Sequence, residues 1–202
     1  MKKKLTTVLA IVLVVSLSVA GTYAYLTAQT DNVTNTFAVA GLLDGNLTLK
    51  EHEALQGANG DYTLGETEVD RNEYTVVPGV DLPKDPTVKF TLQNGIGAYV
   101  YLAVKNDLGA GLTATIDETW GDSIGTITKD GATWTLYAKE IAADAARTYE
   151  LPALQDNVVL SAATVAADAV NPYGGEIVFN AYLCQSAGFD SAMDAWTAAF
   201  GA

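Results

Sequence analysis

An all-β antiparallel fold, sandwich or barrel, closed by one C-terminal helix is what this sequence predicts, on three observations. Short apolar or alternating runs recur with turn signals between them, in place of a regular exchange of strands and helices. Asn94-Gly95 and Asp130-Gly131 supply residues that accept positive φ, as tight hairpins require. Around Tyr99, Tyr101 and Ala103, alternating with Val100, Leu102 and Val104, both faces are apolar, the mark of a central strand.

In chain order, Lys2, Lys3 and Lys4 precede an apolar stretch over 5–19, and small residues follow at Ala20, Gly21 and Ala24, which is the build of an export signal. Ser18-Val19-Ala20 and Thr22-Tyr23-Ala24 both satisfy the small-x-small cleavage rule. A retained signal anchor competes with cleavage, because residues 5–30 carry no charge and a run of about 20 apolar residues can span a bilayer. Its second half, rich in Thr, Gly, Ala and Tyr, is much less apolar than a spanning helix and favours removal of the leader. The polar, proline-free segment 25–37 comes next, and 38–202 forms one domain.

Within that domain strands are expected over 42–51, 74–77, 87–93, 98–106, 125–128, 133–138, 148–151, 158–166 and 176–185. Pro78-Gly79 and Pro172 interrupt ladders, Asn59-Gly60-Asp61 marks a polar loop, and Asp130-Gly131 joins a tight hairpin. Ile177, Phe179, Ala181 and Leu183 share one strand face. Residues 138–147 fit a helical turn or a loop. The helix falls at about 190–200, where Ser191 and Asp194 resemble a capping box and Phe189, Met193, Trp196 and Phe200 recur at near-helical spacing, as a lid on one end of the sheet stack.

The chain has 24 acidic and 11 basic residues, a formal charge of −13. Removing the three leader lysines leaves 8 basic residues against all 24 acids, about −16, which makes nucleic acid an improbable partner and self-association sensitive to salt or cations. Cys184 is the only cysteine, so no internal disulfide forms, and its apolar setting predicts a buried, inert thiol.

No constellation for catalysis emerges. His52 is the single histidine; four residues on stands Gln56, so the helical zinc-protease pattern lacks its second ligand, and His52 reads as a solvent-facing residue of a loop or strand end. No Ser lies in a Gly-x-Ser-x-Gly elbow. Paired acids such as Asp117-Glu118 with Asp122, or Glu66 with Glu68, arise by chance in so acidic a chain, and the 117–122 turn departs from the twelve-residue calcium loop. Catalytic, cofactor-binding and metal-binding residues are therefore expected to be none. Trp120, alone among the tryptophans in a polar loop, is either a sugar-stacking platform or a tucked-in anchor.

Gly21-Thr22-Tyr23-Ala24-Tyr25-Leu26-Thr27, with Asp31 and Asn35-Thr36-Phe37 after it, resembles the start of the TasA/camelysin family, secreted proteins of Gram-positive bacteria. The resemblance continues through Leu47-Thr48-Leu49-Lys50-Glu51 and the run from Val77-Pro78-Gly79 to Thr87-Val88, and again at Ala181-Tyr182, Gln185, Gly188-Phe189 and Ala195-Trp196. It implies a jelly-roll-like β-sandwich, export, and cleavage between Ala24 and Tyr25 by a dedicated signal peptidase of the SipW type. It further implies extracellular biofilm-matrix fibres built from copies of the chain head to tail, the freed N-terminal segment being donated as a strand.

Physically, 25–37, with Tyr25, Leu26, Val33 and Phe37 as its apolar residues, suits completion of a neighbour's sheet edge through main-chain hydrogen bonds; a disordered stub is the bland alternative. The expected partners are thus the chain itself and, during export, the signal peptidase, with membrane contact only through an uncut leader. The rival functions are a camelysin-like, surface-associated metalloendopeptidase and a monomeric glycan-binding adhesin.

Overall fold

A computed structural model describes the backbone of residues 27–29 and residues 47–201 apart from 145 and 168. Among the described residues twelve strands are arranged as three antiparallel sheets, accompanied by one α-helix. The strands are β1 (Thr27–Gln29), β2 (Thr48–Gln56), β3 (Tyr62–Val69), β4 (Leu82–Pro83), β5 (Thr87–Leu92), β6 (Ala98–Asn106), β7 (Leu112–Ile116), β8 (Gly125–Lys129), β9 (Ala132–Ile141), β10 (Arg147–Pro152), β11 (Leu154–Ser161) and β12 (Ile177–Gln185), and the helix is α1 (Ala192–Phe200). Sheet orders are β1-β12-β6-β9-β8, β10-β5-β2-β3 and β4-β11-β7.

The two smaller sheets form one layer and the five-stranded sheet the other. Between them lies the main core, with Ala98, Val100, Leu102, Phe179, Ala181 and Leu183 facing Val88, Phe90, Leu92, Leu151, Leu154 and Val159. In β5 every second residue is buried, the period expected of a strand with one wet face. β6 is buried from Ala98 to Val104 because its sheet is covered on both sides. This is the predicted all-β sandwich with its central strand, and Ile177, Phe179, Ala181 and Leu183 share the inner face as expected.

The β8–β9 hairpin turns on Asp130 (φ 53°) and Gly131 (φ 75°), both positive, the backbone that a two-residue primed turn demands. Several expectations are corrected. Residues 74–77 form no strand, since Pro78, Pro83 and Pro86 deprive the region of ladder donors, and side chains hold it instead: Tyr74 Oη donates to the Pro83 carbonyl at 2.6 Å, and Tyr62 Oη accepts from Thr75 N–H at 2.8 Å. β3 and β7 fall where no strand is expected. β11 begins at Leu154 and ends at Ser161, and 138–147 is neither helix nor loop throughout, because β9 runs on to Ile141. The helix covers the outer face of the five-stranded sheet rather than an end of the sandwich.

Candidate functional site

β12 is a nine-residue strand, Ile-Val-Phe-Asn-Ala-Tyr-Leu-Cys-Gln, whose inner edge pairs with β6 along its whole length, from Ile177 opposite Asn106 to Gln185 opposite Ala98. Its outer edge receives β1, with Thr27 opposite Cys184, Ala28 opposite Leu183 and Gln29 opposite Tyr182. Three residues of the 25–37 segment are thus a strand on the margin of the largest sheet. Ala24, Tyr25, Leu26, Val33 and Phe37, and with them the cleavage site, lie outside the described residues.

Over the same edge sits an aromatic cap. α1 starts where Ser191 Oγ accepts from Asp194 N–H at 3.1 Å and donates to Asp194 Oδ2 at 2.7 Å, satisfying a helix-end donor that has no partner within the helix. The helix presents Trp196 edge-on to Tyr182 and Tyr101, with centroids 4.8 and 5.2 Å apart, and Phe200 packs at 5.2 Å from Tyr182. Tyr101 Oη donates to the Ala192 carbonyl at 2.9 Å and lies 3.5 Å from Cys184 Sγ. Burial pushes the Tyr101 phenol far above its ordinary range and raises the Cys184 thiol, so both stay protonated. Cys184 is buried, matching its sequence reading.

Lys129, at the end of β8, reaches across this face. Its Nζ lies 3.3 Å from Tyr182 Oη, 5.8 Å from the Tyr182 ring centre and 6.0 Å from that of Trp134. Asn180 shares the face and is 0% exposed, yet neither its Oδ1 nor its Nδ2 has a hydrogen-bond partner among the described residues.

The other polar constellation is the one around His52, which stands within β2, not in a loop or at a strand end. Asp85 binds it twice, accepting from the backbone N–H at 2.9 Å and pairing with Nδ1 at 2.6 Å. Beside it the buried pair Lys84–Glu51 closes at 2.6 Å, and the Asn72 amide clamps the β2 backbone by donating to the His52 carbonyl and accepting from Ala54 N–H. These bonds fix the 81–86 connection to β2 across a register shift between β2 and β3. Among the described residues no group of three His, Cys, Asp or Glu side chains converges as a metal set.

The paired acids have local roles. Asp117 Oδ1 caps the 3-10 turn Glu118–Trp120, and Glu68 bonds Lys89 at 2.8 Å, which holds its carboxyl below the usual range. Trp120 is 2% exposed and its Nε1 donates to the Pro152 carbonyl at 2.7 Å, so it is the tucked-in anchor and not a sugar platform. An open cleft of about 540 Å³ lies nearby between β7 and the Tyr137 end of β9.

The sequence singled out the 25–37 segment but missed the buried amide of β12, the strand that β1 joins. Its one signal was an Asn in an otherwise apolar run. Comparison of the chain with protein-family models, curated proteins and solved structures returns no match, so the β12 edge and its cap stand on this chain's own geometry.

Proposed function

We propose that this chain is a secreted structural subunit whose N-terminal segment, donated to the outer edge of β12 in the next copy, builds an extracellular fibre of the biofilm-matrix type in a Gram-positive bacterium. The observation that carries the reading is the antiparallel pairing of Thr27–Gln29 with Tyr182–Cys184. A strand held only at a sheet margin by main-chain bonds can be exchanged for the identical strand of a neighbour with the same bonds regained, and head-to-tail repetition of that exchange leaves an open filament. The export signal, the motifs resembling the TasA/camelysin start and the strongly acidic surface support the same setting.

Electron microscopy and light scattering on two versions of the chain, one starting at Tyr25 and one at Ala38, test it over a range of concentrations. Filaments from the longer version alone are expected. Monomers from both overturn the fibre, and zinc-dependent casein cleavage by either replaces it with the camelysin-like reading.

A further inference from the structure

The cleft of about 540 Å³ beside β9 is lined by no residue of β1 or β12 and takes no part in strand donation. Its floor comes from the alternation of β9. Trp134 and Leu136 face the helix, so Thr135 and Tyr137 point to the inner side, where the cleft opens. β7, the outermost strand of the three-stranded sheet, and the 121–123 loop complete it.

The lining is rich in hydrogen-bonding groups and poor in charge. Asn106, Thr115, Ser123, Thr135 and Tyr137 are neutral, Asp122 is the one acid, and no Lys or Arg lines the space. An anion would meet Asp122 in a chain of formal charge −13 with no cation to hold it. A metal ion would find a single carboxylate, and among the described residues no group of three His, Cys, Asp or Glu converges. An apolar ligand would strip water from these groups without replacing its hydrogen bonds. A neutral polyol satisfies them, because each hydroxyl both donates and accepts. The volume lies within the roughly 300–1,000 Å³ of small-ligand sites, and an open cleft admits a segment of a longer chain.

We propose that this cleft binds a segment of a neutral polysaccharide, with Asp122 and Asn106 taking sugar hydroxyls and the Tyr137 ring lying against the C–H face of the sugar. The polar groups are set before a ligand arrives, which keeps the ordering cost of binding low. Trp120 anchors the loop through the Pro152 carbonyl, Lys139 Nζ donates to the Thr119 carbonyl at 3.1 Å, and Ile124 N–H donates to the Leu136 carbonyl at 2.8 Å, so the 121–123 loop is pinned on both sides. Gly121, at φ 65°, makes the turn that carries Asp122 to the cleft. Asn106 Oδ1 accepts from Leu108 N–H at 3.2 Å, which orients the amide and leaves Nδ2 to donate. Burial raises the Tyr137 phenol, so it stays protonated and donates as well.

Titration calorimetry of the chain tests this with short oligomers of glucose, mannose, galactose and N-acetylglucosamine, and with a uronic-acid oligomer as the charged control. Binding of at least one neutral oligomer and none of the uronate is expected. Asp122→Ala and Asn106→Ala alter exposed positions, so each should leave the unfolding midpoint in place while weakening binding about tenfold. Tyr137→Leu, which keeps apolar bulk but loses the ring, should weaken it at least as much. Binding of no neutral oligomer, or of the uronate alone, overturns the saccharide; binding that survives both alanine variants overturns the cleft as its place. Neither result bears on strand donation, which is read from filaments.

Discussion

Replacing Asn180 by leucine measures what the buried amide costs the fold. The two side chains share one branched skeleton of four heavy atoms, leucine being the bulkier, and the site is 0% exposed within an apolar, aromatic face, so Asn180→Leu removes two unpaired polar atoms without opening a cavity. Relief of an unsatisfied buried group is worth roughly 1–3 kcal/mol. In a domain of this size each kcal/mol moves the melting temperature by about 2–4 °C, so a rise of about 2–12 °C is expected. Urea unfolding of dilute monomer, with an unchanged m-value, measures the gain. A variant less stable than wild type by 1 kcal/mol or more refutes the reasoning, because it means that the amide is satisfied in solution and the leucine breaks that bond.

Trp196→Ala strips the ring that α1 lays on Tyr101 and Tyr182 and should cost about 3–5 kcal/mol by urea titration, with Cys184 becoming reactive to a thiol reagent under native conditions. Asp85→Ala leaves His52 N–H and Nδ1 without their acceptor, and a loss of about 2–3 kcal/mol at pH 7 is expected from the denaturation midpoint. Tyr74 and Tyr101 have phenols raised by burial, so their contribution is complete below the unfolded value of about 10 and drains away as pH climbs above it, each group steepening the loss by at most about 1.4 kcal/mol per pH unit; Tyr101→Phe should flatten that slope. With a formal charge of about −16 after leader removal, the assembly concentration should fall when salt is raised from about 10 to 150 mM, as the screening length drops from about 30 to 8 Å.

How much of this was legible in the sequence depends on where each element sits. β5, β6 and β12 announce themselves because burial on one or both faces imposes a simple pattern, and the β8–β9 hairpin because Asp130-Gly131 admits little else. β3 was hidden: it is an edge strand carrying Gly65, Glu66 and Glu68, and exposed edges are kept polar, so its composition is that of a loop. The 74–77 run misled in the opposite sense, since its aromatic and β-branched residues bury against the core without joining a ladder. Asp85 and His52 are 33 residues apart, and only the crossing of the 81–86 connection over β2 brings them together. For the candidate site, an Asn among apolar residues was visible, but its lack of a partner is a property of the assembled sheet.

The ladder at the centre of the molecule joins Ala98–Asn106 to Ile177–Gln185, and the helix that seals its outer face follows at Ala192–Phe200. A core whose middle strand pairs with one that begins more than 70 residues after it cannot close until the stretch between them has emerged. Its folding is dominated by distant pairings, which places it in the millisecond-to-second regime of β-rich domains rather than the microseconds of local helical ones. During that interval β6, already paired with β9, has one open edge, as able to receive a strand of another chain as β12 of its own. The same delay that leaves a nascent copy threadable also makes the arrival of β12, and not the strength of any one contact, the step at which correct and aberrant association part.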